Sequence, residues 1–348
     1  MRFTNKRENK AKNLLVYALV IIIIAIGAFV YLSPSFEKNT PKISLANEIY
    51  WNLTSPLKVN FSDDNEIKSY EVIYRDQQNE IKLDTQVINS SKGSVDLEIV
   101  APKLEELYNP KTAVLKVEVY DTSKWNFFRG NKLTKEIMLK IDKKRPVANV
   151  ITNTYSINQG GSAVVIVEVK DENLKDAYIS FNNEERFELI PFYKENFYIS
   201  VITWPIELEE FKRVNLIAVD EADNKSITKV PLYIKPLKVK LDDIKISDDF
   251  IEKVSKNVLA KSGYDIPLED EEVFVKQNRD LRAKNVKKIK EEARKNMSKE
   301  MYTKFDLKPF AKLPASMTFA GFGERRHYFY KGKKIDEAWH LGDDWASV

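Results

Sequence analysis

Residues Leu14 to Leu32 form a run of nineteen without one charged side chain, centred on Ile21, Ile22, Ile23 and Ile24. As a helix rising about 1.5 Å per residue, this run nearly matches a bilayer hydrocarbon core of about 30 Å. Tyr17 and Tyr31 stand near its ends, where amphipathic rings settle at lipid headgroups. Ahead of it, Arg2, Lys6, Arg7, Lys10 and Lys12 are opposed by Glu8 alone, a balance of +4 that equals the net charge of the whole chain. The positive-inside rule then predicts a cytoplasmic tail at 1–13, a transmembrane helix at 14–32 and everything later outside the cytoplasm. The rival reading is a cleaved signal peptide with Ala25 and Gly27 as its small-residue site. It asks for an apolar region of about 7–15 residues, shorter than this one.

With the tail set aside, the remaining charges cancel, so the basic residues orient a membrane helix and do not make a nucleic-acid footprint. The chain has no cysteine. Disulfide frameworks, Cys-ligated zinc and thiol nucleophiles are thereby excluded.

Ser33 to Pro41 reads as a short spacer. From there to Pro236 the pattern is strand after strand, broken by turn residues every 8–12 positions or so. Val114–Tyr120 alternates apolar with polar residues, the mark of a half-buried strand, and Ala163–Val169 is a more apolar version of the same. Asn196–Val201, Val214–Val219 and Ile227–Ile234 continue the series. An internal repeat accompanies it: VNFSDDNEIK at 59–68 matches VEVKDENLK at 167–175, and VEVYDTSKWN at 117–126 matches LIAVDEADNK at 216–225. Offsets of about 100 residues predict two tandem copies of one domain. Their size, strand number and lack of cysteine predict immunoglobulin-like β-sandwiches at 38–142 and 143–236. The fold class expected is therefore mainly β.

Past Pro236 the period changes. Ser247 followed by Asp248 and Asp249 is a helix N-cap, and Phe250, Ile251, Val254 and Val258 give an apolar stripe ending near Gly263. Glu269–Glu272 opens a longer helix whose stripe is Val286, Ile289, Ala293, Met297 and Met301. The expectation is a helical linker over 237–309. It is rich in basic residues, which read as a solvated face or as a contact for anionic wall polymer or lipid.

The chain has two histidines, His327 and His340, and lacks a helical H-E-x-x-H motif, a G-x-S-x-G elbow and a phosphate-cradling glycine loop. Chemistry therefore concentrates near the C-terminus. Tyr328–Tyr330 reads as an aromatic strand, Lys331-Gly332-Lys333 as a tight turn and Ile335–Trp339 as the returning strand. His340-Leu341-Gly342-Asp343-Asp344 follows, with imidazole and carboxylate, both good zinc ligands, four residues apart. Gly342 lets the backbone bend between them.

Phe322-Gly323-Glu324-Arg325, the aromatic strand and His340-Leu341-Gly342-Asp343-Asp344 with Ala346-Ser347 together resemble the opening of the catalytic domain of lysostaphin-like (LytM-type) zinc metallopeptidases. These enzymes cut peptide cross-links in peptidoglycan. The resemblance covers 310–348 and implies a β-rich metallopeptidase domain beginning there. It further implies Zn2+ as cofactor, His340 and Asp344 as two of three protein ligands, and peptidoglycan as partner. Asp343 falls on the family's variable position, and His327 reads as an exposed strand histidine. The family's second motif, H-x-H, supplies the third ligand and a proton-shuttling histidine; both are expected beyond Val348, so no catalytic residue is assigned within 1–348. The chain is accordingly expected to be a truncated form of an enzyme held in the inner (cytoplasmic) membrane, its bulk periplasmic. The competing expectation is a non-enzymatic, membrane-tethered immunoglobulin-like module that binds the wall or an envelope protein.

Overall fold

The structure, a computed structural model, describes residues 6–88, 93–182, 185–298, 300–304, 306, 308 and 311–347. Arg2 of the basic tail, the side chains of Lys6, Arg7, Glu8 and Lys10, residue 310 and Val348 lie outside the described residues. Strands hold more of the described residues than helices do, and they form several separate sheets with no closed barrel among those residues. One long helix, Lys6–Leu32, precedes them. Its stretch Lys12–Leu32 is not buried and is long and apolar enough to cross a membrane.

The chain divides into two compact units, 1–145 with 220–224, and 146–219 with 225–348. In the first, Lys42–Ile43, Leu57–Ser62 and Ser94–Ile99 form an antiparallel sheet. The second sheet runs in the order Glu48–Trp51, Lys132–Ile141, Thr112–Asp121, Ile67–Arg75, Glu80–Val87. Thr112–Asp121 alternates as a strand should: Ala113, Leu115, Val117 and Val119 point into the core, and Asp121 takes the last inward position. Trp51, Phe61, Ile67, Tyr74, Leu115 and Leu139 belong to the single core cluster of this unit, which both sheets contribute to. The short spacer at 33–41 is bonded to the first unit. Glu37 accepts from Asn131 Nδ2 through its carbonyl and its carboxylate, and Ser123 Oγ donates to the same carbonyl.

In the second unit, Ile190–Pro191, Phe197–Thr203, Ser162–Lys170 and Val147–Asn153 form one sheet, and Glu185–Glu188, Leu174–Phe181, Val214–Asp220 and Lys225–Lys229 another. Val165, Val167, Ile179, Phe181, Trp204 and Leu216 are buried in their shared core. The expected strand Ile227–Ile234 is broken at Pro231, which has no N–H to give a ladder; Tyr233–Lys235 pairs elsewhere, in parallel with Ser156–Asn158. The sequence repeat reappears as repeated bonding. Asn65 N donates to Asp63 Oδ1 and Asn173 N to Asp171 Oδ1, the same Asx turn in both copies.

Residues 237–309 are not a linker separate from the segment after them. Leu241–Ile246 is a strand, paired in parallel with Arg325–Tyr330, which in turn pairs antiparallel with Lys333–Trp339. Asp242, Ile244 and Ile246 alternate as its less exposed positions, a period of two that precedes the helix signal directly. Ser247 caps the following helix, its Oγ accepting from Phe250 N at 3.1 Å. Ile251, Leu259, Val273, Phe274 and Leu281 from the helices close over Tyr328 and Tyr330 from the sheet. The stripe expected from Val286 to Met301 is not the buried one. Gln277–Leu281 is a π-turn, whose extra residue swings the succeeding face outward. Beyond it Arg282–Lys295 buries no side chain, Ile289 is exposed, and Met297 and Met301 lie past the helix end.

Candidate metal centre

Lys333–Trp339 delivers His340 to the end of the three-stranded sheet, and Asp344 opens the next strand, Asp344–Ser347, which pairs with Ser316–Ala320. The hairpin before it turns on Lys331 and Gly332, with φ of +48° and +81°, the double left-handed geometry of a two-residue turn. Two backbone bonds stitch the histidine to the preceding loop: Gly323 N donates to His340 O and His340 N to Glu324 O, each at 2.8 Å. Gly323 is required here. Its φ is +91°, and a Cβ would come within 2.8 Å of Leu237 Cδ2. Gly342 is not in the left-handed region, so the bend attributed to it needs no glycine; a Cβ there would lie 4.0 Å from His340 Nε2.

His340 Nδ1 lies 3.0 Å from Gly321 O, and Nε2 lies 3.3 Å from Asp344 Oδ2. A carbonyl can only accept, so Nδ1 carries the proton. In the neutral ring Nε2 then presents a lone pair to an ionised carboxylate, an arrangement that a proton or a cation between them relieves. Two ligands held about 2.0–2.1 Å from a tetrahedral zinc sit about 3.3 Å apart. The backbone carbonyl on Nδ1 is the kind of outer partner that fixes a metal-binding imidazole. Donor type, tautomer and separation thus fit zinc at two positions.

Arg326 Nη2 reaches the same Asp344 oxygen at 3.1 Å. That contact, with His340 as a lesser cause, holds the Asp344 carboxyl below its ordinary range. Asp343 turns elsewhere, its Oδ1 accepting from Phe322 N and bracing the loop that carries Gly321. Glu324, nearly buried, accepts from Lys240 Nζ at 2.7 Å, which lowers its pKa and ties the loop to the 241–246 strand. His327 is not the exposed strand histidine expected. Its side chain is 21% exposed and lies between Asp243 Oδ1 and Glu337 Oε2, at 3.2 and 3.7 Å. It engages carboxylates other than Asp344.

A second group of carboxylates was not anticipated as a site. In the first unit, one oxygen each from Glu37, Asp63 and Asp121 lie within 4.8 Å of one another. Burial first, then the neighbouring acids, raises the pKa of Glu37 and of Asp63. An all-oxygen set suits a hard cation and not zinc. Asp121 is fully buried and already accepts from Ser123 N, Asn131 N and Asn131 Nδ2. The available signal was the repeated Asp-acid-Asn turn, which marks Asp63.

No protein-family model matches the chain, and no curated protein matches it. Among solved structures, a chimeric titin Z1Z2 functionalized with a KLER exogenous peptide from decorin is similar over 57% of this chain and 98% of its own, at 15% identity and a TM-score of 0.24. A likeness at that score carries no argument about fold or function.

Proposed function

We propose that the chain is a membrane-anchored zinc endopeptidase of the lysostaphin-like type, acting on peptide cross-links of peptidoglycan, with His340 and Asp344 as two of its metal ligands. On this reading two tandem immunoglobulin-like sandwiches stand between the anchor and the catalytic segment, and the bulk of the chain faces the periplasm. The observation that carries it is the placement of His340 Nε2 3.3 Å from Asp344 Oδ2 while Nδ1 lies 3.0 Å from Gly321 O. Zinc, when bound, would bring its water to a pKa of about 7 and polarise the scissile carbonyl. The residues here do the rest of what they can do. Gly321 O orients the imidazole, Asp343 braces that carbonyl's loop, and Arg326 Nη2 donates to Asp344 Oδ2 and fixes its position. The third ligand and the proton-shuttling histidine are, on this reading, in chain that continues past Val348.

One observation favours the non-enzymatic alternative, a tethered binding module. Arg326 already neutralises the oxygen that would face the metal, so the pair is stable without an ion. Equilibrium dialysis against Zn2+ separates the two. Residues 1–348 should bind one zinc weakly, and His340→Ala and Asp344→Ala should each abolish it. Binding that survives either change removes that residue from the site. Cross-linked peptidoglycan left uncut by a form extended past Val348 would remove the hydrolase reading.

A further inference from the structure

Beside the candidate centre, on the far side of Trp339, lies a groove of about 540 Å³ between the sheet and helix Arg282–Lys295. It is within the size range of ligand sites and is too large for an ion. Arg282, Val286, Lys290 and Arg294 follow at four-residue intervals and make one row along the helix. That row is about 18 Å long at 1.5 Å per residue. Opposite it stand Trp339, half-buried, and Leu341, 49% exposed. The cations are available. The only partner found for the Arg282 guanidinium among the described residues is Trp339 O, at 3.3 Å, and Lys290 and Arg294 make no ion pair there.

We propose that this groove is a docking site for an acidic, amphipathic segment of a partner protein. The inference stands on the groove alone and does not depend on zinc or on hydrolysis. Three features choose this occupant. The floor is apolar, with Ala283, Val286, Trp339 and Leu341 contributing, and apolar side chains on a ligand are what would displace water from it. The rim is mixed: Glu207 and Glu291 interrupt the cations. A uniform polyanion would meet repulsion at both acids, whereas a peptide can place carboxylates opposite Arg282, Lys290 and Arg294 and leave gaps. The row's regular spacing also matches the i, i+4 pattern of a helical ligand's own acidic and apolar positions. A membrane surface fits poorly because Glu291 and Glu292 interrupt the helix's cations and the apolar floor is recessed, out of reach of a flat bilayer.

The probe is a fluorescein-labelled helical peptide of about 14 residues, with Leu on one face and Glu flanking it at i, i+4 spacing. Fluorescence anisotropy against the full chain at physiological salt should show saturable binding. Lys290→Glu with Arg294→Glu, both exposed on the helix and so tolerated by the fold, should weaken it about tenfold or more. The same peptide with Lys in place of Glu should bind the reversed chain better than the native one, which a misfolded variant could not do. Replacing the peptide's Leu by Ser should abolish binding. The proposal is overturned if charge reversal leaves affinity unchanged, if the Ser peptide binds equally well, or if polyphosphate or phosphatidylglycerol vesicles compete as well as the acidic peptide.

Discussion

Glu37, Asp63 and Asp121 set a residue-scale problem, since three acids share one small volume, bonded to amide and backbone donors and with Lys42 as a minor counter-charge to Asp63. A raised pKa means that the folded chain holds a proton where the unfolded chain has released it. The associated stability is therefore fully present below the ordinary carboxylate value and is lost as pH rises through the folded value. Glu37→Gln removes one charge and keeps an oxygen for Asn131. It should be more stable than the native chain at pH 7 by less than about 1 kcal/mol, since the group is partly solvated. That advantage should shrink as pH falls toward the ordinary glutamate range, as thermal melts across pH 4–7 would report. An advantage that grows on acidification would refute the account. A second expectation belongs to Gly323. Alanine there must hold a left-handed φ and displace Leu237, and Gly323→Ala should cost about 1–3 kcal/mol by thermal unfolding. The histidine and aspartate were legible in the sequence because they are neighbours in it, four apart on one turn. Glu37, Asp63 and Asp121 lie far apart and meet only in the folded chain, Glu37 through its bonds to Ser123 and Asn131, and Arg326 reaches Asp344 only because the hairpin folds back.

Helix Asp270–Lys276, the π-turn after it and strand Lys333–Trp339 are locked by one buried carboxylate. Asp336, whose side chain is 1% exposed, accepts from Asn278 Nδ2 and Arg279 Nε, each at 2.7 Å. Successive residues of a regular helix diverge too far to share one acceptor easily, and the π-turn brings both to it. Asp336→Ala leaves buried Asn278 without its acceptor, a loss of about 1–3 kcal/mol. Arg279 is mostly exposed and adds little to that. Hydrogen exchange should therefore speed up over 270–281 and 333–339 while the sandwich strands 112–121 and 162–170 are unchanged; uniform protection would show that the acid does not join these elements. The N-cap at Ser247 and the stop at Gly263 were readable because capping is local chemistry. Strand Leu241–Ile246 was not, because a parallel strand has its partner some eighty residues on and its own short alternation was overshadowed by the helix signal behind it.

At the scale of the whole molecule, the three hydrophobic clusters divide the work, and none draws a residue from Lys6–Leu32. Among the described residues that helix has no part in the cores, and its exposed apolar surface is one that transfer to a lipid phase would bury favourably. Removing residues 1–32 should yield a soluble protein with the thermal transitions of the parent in detergent, whereas the full chain should sediment with membranes and resist alkaline carbonate. Phe29 meets Phe36 edge-on at 6.3 Å, the sort of contact whose loss shifts a melting curve little. Retention and cleavage make different masses. A retained anchor keeps its basic tail, while a signal peptide cut after Gly27 would release a mature chain without residues 1–27. Intact-mass measurement of the membrane-extracted protein should find the tail present, and proteinase K added to spheroplasts should digest the chain beyond Leu32. A mature N-terminus near Ala28, or a chain protected from the protease, would overturn the anchored, outward-facing topology on which the wall-directed reading depends.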